Sequence, residues 1–286
     1  MTDRQDEVLS LRCKSHTYPD GTTGIHEVEF EVFEDETVFV CGGNGAGKST
    51  LLEHLNGILT PDDGELRVKG EEIDDSNLRQ ARREVGLVFQ DSDSQIIAPT
   101  VIDDVSFGPK NYGATDEEAE RRAEEALDSL DALGLRDRSP HYLSGGEKRI
   151  VALAGVLAMN PSVVVMDEPF AGLDPTRTER LIERIGVLRE DGISVVVSTH
   201  DIDSAARMAD RVFVMNDGNT VAEGKPREVF YDYELLDSAN LRPPSAVRLA
   251  RELGVDGERP ITQDEVVRLV RESSLRGRDI DAPARG

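Results

Sequence analysis

Apolar and polar residues alternate from Ile25 to Phe33, running through His26, Glu27, Val28, Glu29, Phe30, Glu31 and Val32. A period of two predicts a half-buried strand there, and residues 7–41 as a whole read as strands. A different pattern follows. Short, largely apolar runs at Thr37–Cys41, Val85–Phe89, Val163–Met166, Ile193–Ser198 and Val212–Met215 are the signature of strands buried on both faces. Helical spacing separates them. One helix is predicted from Lys48 onward, an amphipathic one in an acidic frame over Asp116–Leu133, and another from Gly145 to Met159, stopped by Asn160-Pro161. Two more cover Thr176–Arg189 and Ile202–Met208. Gly57–Gly70 reads as a loop and a short strand, with Pro61-Asp62-Asp63-Gly64 as the turn. From Val163 the order is β-α-β-α-β, which predicts a parallel sheet flanked by helices. Beyond Lys225 the strands stop and short helices follow. Ser273–Gly286 is polar, with Gly, Pro and Arg, and is expected to be mobile.

The chain of 286 residues is long enough for one large domain, or one domain with an extension. Its longest apolar stretch, Ile150–Met159, is far short of the roughly 20 residues that span a bilayer. Met1–Glu7 is polar and predicts no secretory leader, and Cys13 and Cys41 suggest neither a disulfide nor a metal site. These features predict a cytoplasmic location. Charge changes the picture more. There are 57 acidic against 33 basic residues, a net charge of −24, and lysine stands only at positions 14, 48, 69, 110, 148 and 225. The acids are spread along the chain instead of forming a tail. Such a balance disfavours nucleic acid, whose binding rests on clustered cations. It suits concentrated salt, because at about 1 M the screening length falls to about 3 Å and self-repulsion costs little.

Two segments carry the chemistry. Gly42-Gly43-Asn44-Gly45-Ala46-Gly47-Lys48-Ser49-Thr50 lies between an apolar strand and a helical run, the context in which a glycine-rich loop cradles phosphates. Its backbone N–H groups and helix N-terminus favour an anion, Lys48 brings a full charge to β- and γ-phosphates, and Ser49 is placed to ligate Mg²⁺. A nucleoside triphosphate is the expected ligand. About 120 residues on, the strand Val163–Met166 ends in Asp167 and Glu168. Neighbours on a strand point to opposite sides, so one carboxylate can hold Mg²⁺ and the other can act as general base on water. Pro169 fixes the exit of the chain. Between these segments, Leu143-Ser144-Gly145-Gly146-Glu147 opens a helix. Ser144 and Glu147 form a capping-box pattern, yet two glycines in a first turn cost about 1 kcal/mol each relative to Ala. An approaching phosphate explains why no side chains stand there.

Together these motifs resemble the ATP-binding cassette (ABC) ATPases over about residues 8–225. Gln90 ends a strand, Leu143–Glu147 matches the signature, Val163–Glu168 the Walker B strand, Ala171-Gly172-Leu173-Asp174 the D-loop, and Thr199-His200-Asp201 the switch loop. The resemblance implies an α/β P-loop NTPase fold. It has a mixed-sheet core, an N-terminal antiparallel subdomain, a helical signature subdomain at about 95–160, and a C-terminal helical extension over 226–286. It implies two cassettes, as a homodimer or paralogue heterodimer, sandwiching two ATP molecules. Lys48 and Ser49 of one would then face Ser144, Gly145 and Gly146 of the other. His200 would contact the γ-phosphate, Gln90 the metal and attacking water, and Tyr18 would stack on adenine.

A narrower resemblance lies in Val88–Val101 and Asp104–Pro109, with Gln95 and Ala98-Pro99-Thr100-Val101 as distinctive parts, and in Asn240–Ala250. These are similar to the ATPases of energy-coupling-factor importers, which take up cobalt, nickel or vitamins. Ser92, Ser94 and Glu147 depart from that pattern. The resemblance implies a membrane permease and a substrate-binding membrane subunit as partners, at the cytoplasmic face of the cell membrane. A short helix of the permease is expected to dock near Gln95, Ile96, Ile97 and Pro99. Other transport cassettes, exporters included, remain open. Non-transport ABC ATPases acting on DNA or ribosomes fit less well, since neither a long coiled coil nor a second cassette is present.

The acidic excess generates a first prediction. Unfolding midpoints measured from dilute buffer to molar KCl should rise with salt; a midpoint independent of KCl would remove the reading of the charge as a salt adaptation.

Overall fold

Valine dominates the central runs that become strands, because branched side chains pack well on a pleated surface. In the computed structural model, which describes residues 6–279, the chain opens with β1 (Glu7–Thr17), β2 (Thr23–Phe33) and β3 (Thr37–Cys41). There follow α1 (Lys48–Leu55), β4 (Asp63–Val68), β5 (Glu71–Glu72), α2 (Leu78–Glu84) and β6 (Val85–Val88). A helical stretch holds α3 (Val101–Asn111), α4 (Asp116–Ser129) and α5 (Gly145–Leu157). Alternation resumes with β7 (Val163–Asp167), α6 (Pro175–Glu190), β8 (Ser194–Thr199), α7 (Ile202–Met208), β9 (Arg211–Asn216) and β10 (Asn219–Gly224). The rest is helical, with α8 (Pro226–Val229), α9 (Tyr233–Ser238), α10 (Ser245–Glu252) and α11 (Gln263–Asp279).

The strands form two sheets. An antiparallel one has the order β2-β1-β4-β5, and the larger one the order β10-β9-β3-β8-β7-β6. Within the larger sheet β3, β6, β7, β8 and β9 run parallel, and β10 folds back antiparallel on β9. The parallel sheet predicted by the β-α-β-α-β order is thus mixed at one edge. The polar turn Asp217-Gly218, both at positive φ, reverses the chain there.

Alternate residues of the central strands feed two cores. Phe39, Val164, Met166, Val195 and Val197 pack toward α4, α5 and α6, whereas Val38, Val40, Val163, Val165 and Val196 pack toward α1 and the antiparallel sheet. That two-sided burial is why β3, β7 and β8 read as nearly unbroken apolar runs. The helices start on side chains that satisfy their free N–H groups. Thr115 caps α4, Asp174 caps α6 with Pro175 in the first turn, and Asp201 caps α7.

Strands end by 225, but the core does not. Val229, Phe230, Leu236, Leu241 and Val247 belong to the same buried cluster as β3 and β7, while Ala246, Ala250 and Val266 form a small one between α10 and α11. The mobile segment expected from Ser273 is helical as far as Asp279. Residues 280–286, on which that expectation also falls, lie outside the described residues.

Arg211 ties the sheets together. Its guanidinium, 16% exposed, bonds both carboxylate oxygens of Glu36 at 2.8 Å, Glu223 at 2.6 Å and the Glu31 carbonyl at 2.6 Å. Removing one member of a buried pair strands the other charge, at a cost of about 3–5 kcal/mol. Arg211→Met should therefore lose about that much stability in urea unfolding; a loss below about 1 kcal/mol would mean the pair behaves as a solvated one.

Candidate active site

The site lies at the C-terminal ends of β3, β7 and β8. After β3 the chain must turn sharply into α1, and it does so through a glycine-rich loop in which Gly42 and Gly47 leave no room for a side chain. A Cβ on Gly42 would sit 2.6 Å from the Met215 carbonyl oxygen. Gly47, at φ +97°, would meet the Gly24 oxygen at 2.9 Å and the Gly218 Cα at 3.1 Å. Ala46 is buried, Asn44 and Gly45 are exposed, and Gly43 is half-buried. At Gly43 and Gly45 a Cβ would point into open space, so the rim of the loop is clear for a ligand.

Lys48 and Thr50 are buried at the start of α1, and Ser49 is exposed. The Lys48 Nζ donates to the carbonyls of Gly42 at 2.8 Å and Gly43 at 3.1 Å, and pairs with Glu168 Oε1 at 3.3 Å. Glu168 follows β7 at φ +45°, a left-handed backbone that is unusual for a non-glycine residue. Its other carboxylate oxygen faces His200 Nδ1 at 2.8 Å. The carboxylate therefore bridges Lys48 and His200, while the rest of the His200 ring remains exposed. Such a group, buried and one ion pair away from release, is placed to take a proton from water at the loop's mouth.

Ser198 organises the carboxylate pair. Its hydroxyl donates to Asp167 Oδ1 and accepts from the Glu168 amide at 2.9 Å. The sequence marks it only as a polar residue closing a valine run. Beneath them Glu53, partly buried, has its carboxyl pushed up by burial and by the nearby Asp167 charge.

Gln90 is exposed just past β6, and its carbonyl accepts from Arg149 Nη2 at 3.4 Å. Arg149 is a second residue that spacing alone misses. Its Nη1 donates to the carbonyls of Pro169 and Ala171, both at 2.9 Å. It thereby joins α5, the segment after β7 and the loop after β6. Burial pushes its pKa down, and its Nε has no hydrogen-bond partner. Gln95 folds back on the same strand, donating to the Leu87 carbonyl and accepting from the Phe89 amide, both at 3.1 Å.

The remaining candidates serve local structure in the single chain. Ser144 and Glu147 complete the capping box, and the Ser144 hydroxyl and amide hold the Glu147 carboxyl below its ordinary pKa. Gly145 is exposed, and a Cβ on Gly146 would lie 3.0 Å from Arg177 Cδ. Asp174 accepts from the Arg177 amide at 3.0 Å. Among the described residues no hydrogen bond or ion pair joins 144–146 or 174 to the phosphate loop. Tyr18, half-buried at the end of β1, places its hydroxyl 3.0 Å from Thr50 Oγ1.

A glycine loop around a buried lysine after β3, with paired carboxylates at the end of β7 on the far side of β8, defines a P-loop ATPase. Comparison with known proteins narrows the class. The ABC transporter family model matches residues 25–171. The energy-coupling factor transporter ATP-binding protein EcfA of Methanocaldococcus jannaschii is 47% identical over 246 residues, 85% of this chain and 88% of that one. The structure of cbiO1 from Clostridium perfringens, described as part of the ABC transporter complex cbiONQ, superposes with a TM-score of 0.74 at 36% identity, over 86% of this chain and all of that one. The ATP-binding cassette MJ0796, in a dimeric post-hydrolysis state with ADP and Pi, gives a TM-score of 0.70 at 30% identity over 76% and 98%. The chain belongs to the ABC transporter family, as one of its ATP-binding proteins. It is an ABC ATPase.

Removing the lysine should test the cradle. Hydrogen bonds to charged groups are worth about 1.5–3 kcal/mol, so Lys48→Ala should weaken ATP binding by roughly 10- to 100-fold in calorimetry. Equal affinity in mutant and wild type would take Lys48 out of the phosphate contacts.

Proposed function

We propose that this ATPase is the energy-coupling subunit of a membrane importer, working at the cytoplasmic face of the cell membrane. In this reading it couples ATP binding and hydrolysis to uptake of a metal ion such as cobalt or nickel, or of a vitamin. The observation that carries it is the near full-length similarity to relatives named for the energy-coupling factor and to a subunit of cbiONQ. Among the described residues no helix is long and apolar enough to cross a membrane. The path is assigned to separate partners, a permease and a substrate-binding membrane subunit. The cassette is taken as residues 8–225, with 226–286 as its helical extension.

Lys48 and the N–H groups of Gly43–Ser49 receive the phosphates, and Tyr18 carries the adenine. Glu168 leaves Lys48 when a phosphate takes its place, and then accepts the proton of the attacking water, an effect worth about 10²–10⁴ in rate. His200, already held by Glu168, turns to the γ-phosphate. A second cassette, identical or paralogous, supplies Ser144, Gly145, Gly146 and Asp174 across the interface; these residues stand at the starts of α5 and α6 without a tie to their own phosphate loop. Mg²⁺ fits the donor set. Ser49, Asp167 and Gln90 would hold the cation together with oxygens of the substrate and water. A hard cation that keeps most of its ligands as oxygen from substrate and water suits that set. Bound there, it would neutralise charge on the β- and γ-phosphates.

Docking of the permease is assigned to the loop after Gln90, with one revision from the structure. Ile96 packs against the chain's own core, whereas Ile97 is 67% exposed with its amide held by Asp104 at 2.8 Å. Ile97 and Pro99 therefore carry the apolar surface. Ile97→Asp should leave fold and ATPase activity intact while uptake and co-purification with a small multi-helix membrane protein are lost. Normal assembly and uptake by the variant would overturn the docking assignment. A screen of cobalt, nickel and vitamin uptake by the assembled complex tests the substrate class, and outward transport would refute import.

A further inference from the structure

Four side chains between β1 and α1 close a ring of contacts beside the phosphate loop. The Tyr18 hydroxyl lies 3.0 Å from Thr50 Oγ1. The Thr50 carbonyl accepts from His54 Nδ1 at 2.7 Å, which places the proton on that nitrogen. The His54 ring meets His16 edge to face, with centroids 4.7 Å apart and planes at 82°. His16 meets the Tyr18 ring in the same way, at 4.9 Å and 87°. Nδ1 of His16 faces the Thr60 carbonyl at 3.3 Å, which orients the middle ring.

Two further observations set this ring apart from ordinary packing. His54 is fully buried, yet its Nε2 has no hydrogen-bond partner. A leucine or phenylalanine would fill that space without stranding a nitrogen. What histidine adds is the N–H on the Thr50 carbonyl, and burial lowers its pKa. The second observation is Gly24 on β2. A Cβ there would stand 2.8 Å from Thr50 Cγ2, 2.9 Å from Tyr18 Cε2 and 3.4 Å from His16 Cδ2. Three members of the ring converge on the one position of β2 where no side chain intrudes.

We propose that His16 and His54 are positioning residues for base recognition, fixing the Tyr18 ring so that its aromatic face is set before a purine nucleotide arrives. The inference rests on the reading of Tyr18 as the adenine platform. An aromatic already locked at its edge loses less conformational freedom on binding, so the ring contributes to affinity through pre-organisation and not through contact with the nucleotide. His16 and His54 act through Tyr18 and Thr50.

Calorimetric titration of the full-length protein with ATP and with inorganic tripolyphosphate tests this, because tripolyphosphate uses the phosphate loop without a base. An edge-to-face aromatic pair is worth enough to change affinity by about 2- to 10-fold. His16→Ala should weaken ATP by that factor and leave tripolyphosphate unchanged, while His16→Phe, which keeps a ring edge, should behave as wild type. Should His16→Ala fail to fold, His16→Leu fills the volume without a ring and carries the same expectation. His54→Phe, which cannot donate to Thr50, and Gly24→Ala should show the same split between the two ligands. In a Tyr18→Ala background His16→Ala should add nothing, since both remove one interaction. Equal losses for ATP and tripolyphosphate, or additive losses in the double variant, would overturn the proposal. If Tyr18→Ala weakens ATP and neither His16→Ala nor Gly24→Ala does, the platform stands and the positioning role falls. If Tyr18→Ala leaves ATP affinity intact, the platform reading itself fails.

Discussion

A buried ammonium group governs this site. Lys48, 7% exposed at its side chain, cannot stand in a low-dielectric interior without partners, and the chain supplies them from two carbonyls and one carboxylate. The carbonyls come from Gly42 and Gly43, so the charge itself holds the glycine loop in its curve. The carboxylate is Glu168, so the same charge fixes the end of β7. Loop, strand end and the His200 contact are thereby set by one electrostatic requirement. In the proposed mechanism one anion replaces another: a phosphate that displaces Glu168 both binds at Lys48 and releases the group proposed as base.

Two residues extend that constraint outward. Ser198 fixes the end of β7, donating to the Asp167 carboxylate and accepting from the Glu168 amide, while the Glu168 carboxylate faces Lys48 and His200. Arg149 carries the geometry to the helical layer, with its guanidinium on the carbonyls of Pro169, Ala171 and Gln90. A shift of the loop after β6 is thus felt at the helix that begins with Ser144. In the proposed importer this is the physical link between a permease seated near Ile97 and the carboxylates around the nucleotide.

Much of this was legible in the sequence, for reasons particular to each element. Val163–Asp167 and Ser194–Thr199 read clearly because strands buried on both faces leave little but valine. The phosphate loop read clearly because its glycines are demanded by neighbouring backbone at Gly42 and Gly47. The hairpin of β10 escaped the apolar pattern, since Asn219–Gly224 lies at a sheet edge and is half polar; its Asp217-Gly218 turn was the signal available. Ser198, Arg149 and the His16–His54 pair escaped because their roles depend on residues 20 to 60 positions away, and a motif search sees only near neighbours. The helix through Asp279 ran against composition, because the apolar spacing of Val266 and Val270 packs it on α10.

The central claim is that Glu168 is at once the resting counter-ion of Lys48 and the base of the reaction. Single-turnover hydrolysis by Glu168→Gln, with ATP affinity measured on the same protein, tests it most directly. The account predicts a chemical step slowed by about 10²–10⁴, together with ATP bound at least as tightly as by wild type, because Lys48 no longer has to give up a carboxylate. An unchanged single-turnover rate, or a fall in rate that merely follows weakened ATP binding, would contradict it.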